Sequence, residues 1–254
     1  MGPEAGDDKE ATILNRTVRW SMNAIEYEAD RKHAVKIWES VGLKADSKGL
    51  DGPIVKEELG GEHDEGDDEL DEQEMTRFRG LAATANFLAQ DRPDIQYAAK
   101  DICRDMSRPT AASLRKLKRL SRFLVKYPRL VWRFGAADEE DVNYVDAWTD
   151  SDWAGCLGTR KSTSGGAVGI CGGTLKTWSS TQGTIALSSV EAECYALVKA
   201  SAEALGVQSI AKDLGREFKV RIWIDSSAAN SMASRIGMGR VRHLEVRFLW
   251  FKKR

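Results

Sequence analysis

Three acidic residues in the C-terminal half stand where side chains can converge. Asp150 follows the apolar run Val145 to Thr149, and Asp225 follows Val220 to Ile224. Glu193 lies near the start of the helix-periodic stretch between them. Strand ends and helix starts meet at the open edge of an α/β sheet. Three carboxylates held together repel one another unless a positive charge neutralises them. Hard oxygen donors of this kind suit Mg²⁺ or Mn²⁺. Two such ions, roughly 3.5–4 Å apart, activate a water and stabilise the leaving oxygen in phosphodiester cleavage. The plainer reading is capping: an Asp before a helix is an N-cap, and a Glu in a first turn complements the helix dipole. Asp146 and Asp152 rival Asp150, but Asp152 lies two residues on, past the expected strand end, and aims elsewhere.

A second group is basic. Leu114, Leu117, Leu120, Leu124 and Tyr127 form one helical stripe. Arg115, Lys116, Lys118, Arg119, Arg122 and Lys126 crowd the other side with few acids to offset them. Such a face either tracks phosphates or is simply solvated. The four cysteines, Cys103, Cys156, Cys171 and Cys194, form no C-x-x-C pair, so reduced thiols are expected rather than a zinc site or a disulfide framework.

The elements that must position these groups fall into zones. At ~150 residues per domain, 254 residues make one or two domains. A hydrophobic fraction of 42% supports a core, and 38 basic against 39 acidic residues exclude a uniformly basic nucleic-acid binder. No apolar run is long enough to span a membrane, and the first ten residues are polar and acidic, so an intracellular protein without a secretion signal is expected. Residues 1–43 read as strand, turn at Met22-Asn23, strand, and a helix capped by Asp30 and stopped by Gly42. Residues 44–74, dense in Asp, Glu and Gly, read as a disordered acidic linker. Residues 75–140 read as basic and helical, with helices around Leu81–Leu88, Ile95–Met106 and Thr110–Tyr127.

Residues 141–254 read as mixed α/β. Strands are expected over Val145–Thr149, Gly165–Ile170, Leu175–Ser179 and Val220–Ile224, with a hairpin turn at Cys171-Gly172-Gly173. A helix capped by Ser188, with Glu191 completing a capping box, runs to about Leu205. Further helices are expected over Ser226–Ser234 and from Val241 onward, where Leu244, Phe248 and Phe251 share a face.

At this point the motifs become familiar. Thr149-Asp150-Ser151-Asp152-Trp153-Ala154-Gly155, Arg160-Lys161-Ser162-Thr163-Ser164-Gly165, Trp178-Ser179-Ser180, Ala186-Leu187-Ser188-Ser189-Val190-Glu191-Ala192-Glu193, Ile224-Asp225-Ser226 and Arg242-His243-Leu244-Glu245-Val246-Arg247 occur in one order. Together they resemble the ribonuclease H domain of copia-type retrotransposons. Asp91-Arg92-Pro93-Asp94-Ile95 and Leu117-Lys118-Arg119-Leu120 resemble the segment that precedes it, and residues 12–42 look like the end of a polymerase palm. The fold implied is α/β: a ribonuclease H-like mixed sheet with helices, C-terminally truncated, preceded by a basic helical connection and a small α+β palm remnant.

The resemblance implies that Asp150, Glu193 and Asp225 are catalytic metal ligands, with Glu191 the weaker alternative to Glu193. It also implies two Mg²⁺ (or Mn²⁺) ions and an RNA–DNA hybrid as partner, its RNA strand recognised through 2′-hydroxyls. Two departures stand out. Tyr144-Val145-Asp146-Ala147 only imitates the polymerase signature, having Ala in place of the second Asp, so DNA synthesis is not expected. The fourth carboxylate of similar enzymes falls past Arg254, and Glu245 reads as helix surface, so weakened turnover is expected. The alternative expectation is a non-catalytic nucleic-acid-binding relic of the same element.

Overall fold

Leu14 and Asn15 both adopt positive φ, 49° and 63°, and fold β1 (Glu10–Ile13) back onto β2 (Arg16–Trp20). A two-residue turn of this handedness matches the twist of the strands it joins. The sequence hides it, because it lacks the usual glycine and leucine rarely takes φ > 0. The computed structural model describes residues 2, 4–54, 68–136, 138–139, 141–156, 158–227 and 231. The chain divides into two compact units, Met1–Gly135 and Ala136–Arg254.

In the first unit the chain turns at Ser21, whose hydroxyl donates to the Ala24 carbonyl, and enters β3 (Ala24–Glu28). Asp30 accepts from the Lys32 amide at 2.9 Å and caps α1 (Arg31–Ser40), and Gly42 beyond it takes φ 78°. Three helices follow: α2 (Glu72–Leu88), α3 (Gln96–Arg104) and α4 (Ala111–Lys126). Ile37 and Trp38 of α1, Phe78 and Leu81 of α2, Ile102 of α3 and Leu117 and Leu124 of α4 share one buried cluster. The chain then returns as β4 (Val131–Gly135), which pairs with β3 and completes a sheet ordered β1-β2-β3-β4. This strand falls where the sequence reads as helical and basic; its partner is distant in the chain, so no local pattern announces it.

Two polar joints hold this unit. The Asp91 carboxylate accepts from Arg16 Nε at 2.9 Å and from the Tyr27 hydroxyl at 2.6 Å, and the Asp91 carbonyl accepts from Trp132 Nε1 at 2.8 Å. Buried Arg92 donates to both Asp94 carboxylate oxygens and to the Tyr127 carbonyl. The Asp-Arg-Pro-Asp motif thus ties sheet to helices. Glu28 is buried beneath Arg19, Arg31 and Arg129, and these guanidiniums, Arg129 foremost, hold its carboxyl down to about 2.

The acidic stretch is placed at both ends rather than free. The Leu50 amide donates to the Arg122 carbonyl, Asp51 takes Lys126 and Tyr127, and Ile54 packs on the helical cluster. At the far end Leu70 is buried, Glu69 bridges to Thr110, and Asp71 caps α2 through the Glu74 amide. Disorder expected over 44–54 and 68–74 therefore gives way to packing, because Ile54 and Leu70 supply apolar anchors that the charge density obscures.

The second unit builds a four-stranded sheet, β7-β6-β5-β8, from β5 (Tyr144–Asp152), β6 (Thr163–Ile170), β7 (Gly173–Thr181) and β8 (Lys219–Trp223). β5, β6 and β7 are antiparallel neighbours, and Cys171 (φ 52°) and Gly172 (φ 74°) make the β6–β7 turn. β8 runs parallel to β5, which demands a crossover, supplied by α5 (Ser189–Asp213). Ala200 and Ala204 of α5 pack on Val145, Ala147, Val168 and Trp178 of the sheet. The helix runs about two turns past Leu205 and stops before Gly215, at φ 79°. The helices expected over Ser226–Ser234 and Val241–Arg254, and Glu245 with them, lie for the most part or wholly outside the described residues.

Candidate metal centre

Strand register brings two of the three acids together. β5 and β8 pair from Tyr144 opposite Lys219 to Trp148 opposite Trp223. Continued two residues, the same offset sets Asp150 beside Asp225. Arg221 locks that register: it donates from Nε and Nη2 to the two Asp146 carboxylate oxygens, both at 2.7 Å, and reaches Asp141 at 2.6 Å. Its guanidinium also lies 3.9 Å from the centre of the Tyr144 ring, and Trp223 Nε1 donates to Asp146 at 2.8 Å. Asp146 is thus occupied across the strand pair, and its carboxyl sits below the usual range through the Arg221 hydrogen bonds. Asp152 accepts from the Thr163 amide. Neither rival joins the acidic group.

The third acid comes from the first turns of α5. The Ser188 hydroxyl accepts from the Glu191 amide at 3.2 Å, while the Glu191 side chain accepts from the Leu187 amide at 2.7 Å and from the Tyr195 hydroxyl. Glu191 therefore serves the helix start. Glu193, two residues further along, is 8% exposed and points to β5, where Oε1 accepts from the Ser151 hydroxyl at 2.7 Å and the Ser151 amide at 3.1 Å. Its second oxygen, Oε2, is buried with no hydrogen-bond partner.

Asp150, Glu193 and Asp225 each offer one carboxylate oxygen, and these oxygens lie within 4.8 Å of one another. Burial pushes the Glu193 carboxyl above its usual range, the Ser151 hydroxyl pulls it back, and the Asp150 and Asp225 charges push it up again. A buried, unpartnered carboxylate oxygen beside two more acids is a donor set suited to a hard divalent cation. Ser151 is the participant that sequence reasoning missed; its adjacency to Asp150 is the signal that could have found it.

The basic face of α4 is arranged differently from its pattern. Lys116 is ion-paired with Asp101 at 3.0 Å and Asp105 at 3.2 Å, and Lys126 with Asp51. Arg115 and Lys118 are exposed, whereas Arg119 and Arg122 are half-buried, each with a buried Nε that has no hydrogen-bond partner. Among the described residues no helix is long and apolar enough to cross a membrane.

Comparisons with known proteins add the lineage. No family model matches, and no solved structure matches. An uncharacterized mitochondrial protein of Arabidopsis thaliana is 35% identical over 127 residues, 50% of this chain and 51% of its own length. The retrovirus-related Pol polyprotein from transposon RE1 of the same plant is 31% identical over 142 residues, 55% of this chain and 9% of the polyprotein. A protein named secreted RxLR effector protein 161, from Plasmopara viticola, is 34% identical over 125 residues, 49% of this chain and 86% of that protein. The chain thus spans about half the length of the mitochondrial relative and about a tenth of the polyprotein. Pol polyproteins of further transposons match as well, so the homologues of this chain include copia-type retrotransposon Pol polyproteins.

Proposed function

We propose that the second unit is a ribonuclease H-like domain that hydrolyses the RNA strand of an RNA–DNA hybrid. In this reading Asp150, Glu193 and Asp225 hold two divalent ions, Mg²⁺ or Mn²⁺. The observation that carries it is the meeting of three carboxylate oxygens within 4.8 Å, joined by a buried Glu193 oxygen that lacks a partner. Bound there, the metal would supply an activated water and charge stabilisation at the phosphate.

The chain's own residues divide the remaining tasks. Ser151 fixes Glu193 through two hydrogen bonds to one oxygen, which leaves the other for a ligand. Asp150 and Asp225, both exposed, complete the set at the sheet edge, where a polymer can reach them. Arg221 and Asp146 hold the β5–β8 register that aligns those two acids. On the first unit, Arg115 and Lys118 would contribute phosphate contacts. Lys116, Arg119, Arg122 and Lys126 belong to the same proposed face, with Lys116 and Lys126 having to exchange an acidic partner for a phosphate.

The test is cleavage of a labelled RNA–DNA hybrid with Mg²⁺. The full chain should cleave the RNA strand, and Asp150→Asn or Asp225→Asn should each reduce the rate by about a hundredfold or more. No cleavage by the unaltered chain, or unchanged cleavage in both variants, would overturn the reading.

A further inference from the structure

Three serines stand in one row across the sheet of the second unit. Ser151 pairs with Ser164, and Ser164 with Ser180. The first donates to Glu193, the second accepts from Gln182 Nε2 at 3.0 Å, and the third accepts from Lys199 Nζ at 2.8 Å. The row crosses two strand spacings, about 10 Å, and leads from the carboxylates to a separate cavity of about 430 Å³. Ser164, Ser180, Thr181, Gln182, Tyr195 and Lys199 line it.

Most residues lining this cavity carry a polar group, and Lys199 is the cation among them. Lys199 is half-buried, its ammonium 5.9 Å from the Trp178 ring centre, and burial holds its pKa below the usual lysine value. The acid one turn along α5, Glu203, is ion-paired with Lys176 at 2.6 Å, while Lys199 bonds to a hydroxyl. Gln182 is 7% exposed, and its Oε1 is buried with no hydrogen-bond partner although its Nε2 is bonded twice. A half-desolvated ammonium among hydroxyls matches an anion that also brings polar atoms, as a sugar–phosphate does.

We propose that the Lys199 cavity is a subsite for a backbone phosphate of the bound nucleic acid, set across the sheet from the scissile position. The inference rests on the hydrolase reading for its class of ligand. Lys199 here binds and positions; it does not touch the reacting atoms.

Binding of an RNA–DNA hybrid to the full chain, followed by fluorescence anisotropy in EDTA over a series of salt concentrations, tests it without any cleavage. Lys199→Met should weaken binding about five- to tenfold and lower the salt slope by about one. Lys199→Arg should restore both, and Lys176→Met, which removes an exposed charge nearby, should change affinity by less than about twofold. Equal effects of Lys199→Met and Lys176→Met would overturn the proposal. So would binding of inorganic phosphate combined with unaltered hybrid affinity in Lys199→Met, which would assign the cavity to a free anion. Because the readout is binding without metal, failure of the carboxylate centre in the cleavage assay remains separate from failure of this subsite.

Discussion

Glu28 and Glu193 are both buried carboxylates, and their surroundings set opposite behaviour. Glu28 faces three guanidiniums, and its pKa falls to about 2. At Glu193 burial first, and then the charges of Asp150 and Asp225, push the pKa up. A group with a depressed folded-state pKa contributes stability above its unfolded value, near 4.5 here, and loses it as pH falls toward 2. The first unit should therefore lose stability over that acid window, and Glu28→Gln should flatten the loss. At neutral pH the same substitution should cost roughly 1–3 kcal/mol, discounted because Arg31 and Arg129 are partly exposed. Thermal melts at several pH values check both statements. A wild-type acid profile unchanged in Glu28→Gln would remove the three arginines as the cause.

At the scale of elements, what was legible depended on how local the signal was. The β6–β7 hairpin, the Ser188 cap and β5 could be read directly, because turn residues and apolar runs declare them within a few positions. β4 could not, since its pairing with β3 depends on residues a hundred positions away. The Leu14-Asn15 turn was hidden by an unusual residue at positive φ. At the candidate site the three acids were legible from strand ends and motifs, and Ser151 could have been found beside Asp150, whereas the Lys199 cavity arises only from register across strands and the packing of α5. Register also explains Gly166. A Cβ there would lie 2.2 Å from Trp178 Cζ2, ring atoms fixed in the core. Gly166→Val should destabilise the second unit by about 2 kcal/mol or more. A denaturant melt of that variant indistinguishable from wild type would show that the ring has room to move.

Over the whole molecule, two separately built units carry different parts of the account. The first joins a β-meander to a helical cluster through the Asp91–Arg92 joints, and four of the six cations named on its basic helix are half-buried or paired with acids. The second holds the acids, the serine row and the polar cavity on one sheet and one long helix. The homologues are copia-type Pol polyproteins, and the proposed chemistry rests on the three carboxylates. Their capacity to hold a cation is therefore what matters most, and it is measured without substrate. Titration of the full chain with Mn²⁺, followed by electron paramagnetic resonance of the free ion, reads it directly. The account predicts saturable binding that weakens at least tenfold in Asp150→Asn, Glu193→Gln and Asp225→Asn alike. Equal Mn²⁺ affinity in the wild type and all three variants would contradict it.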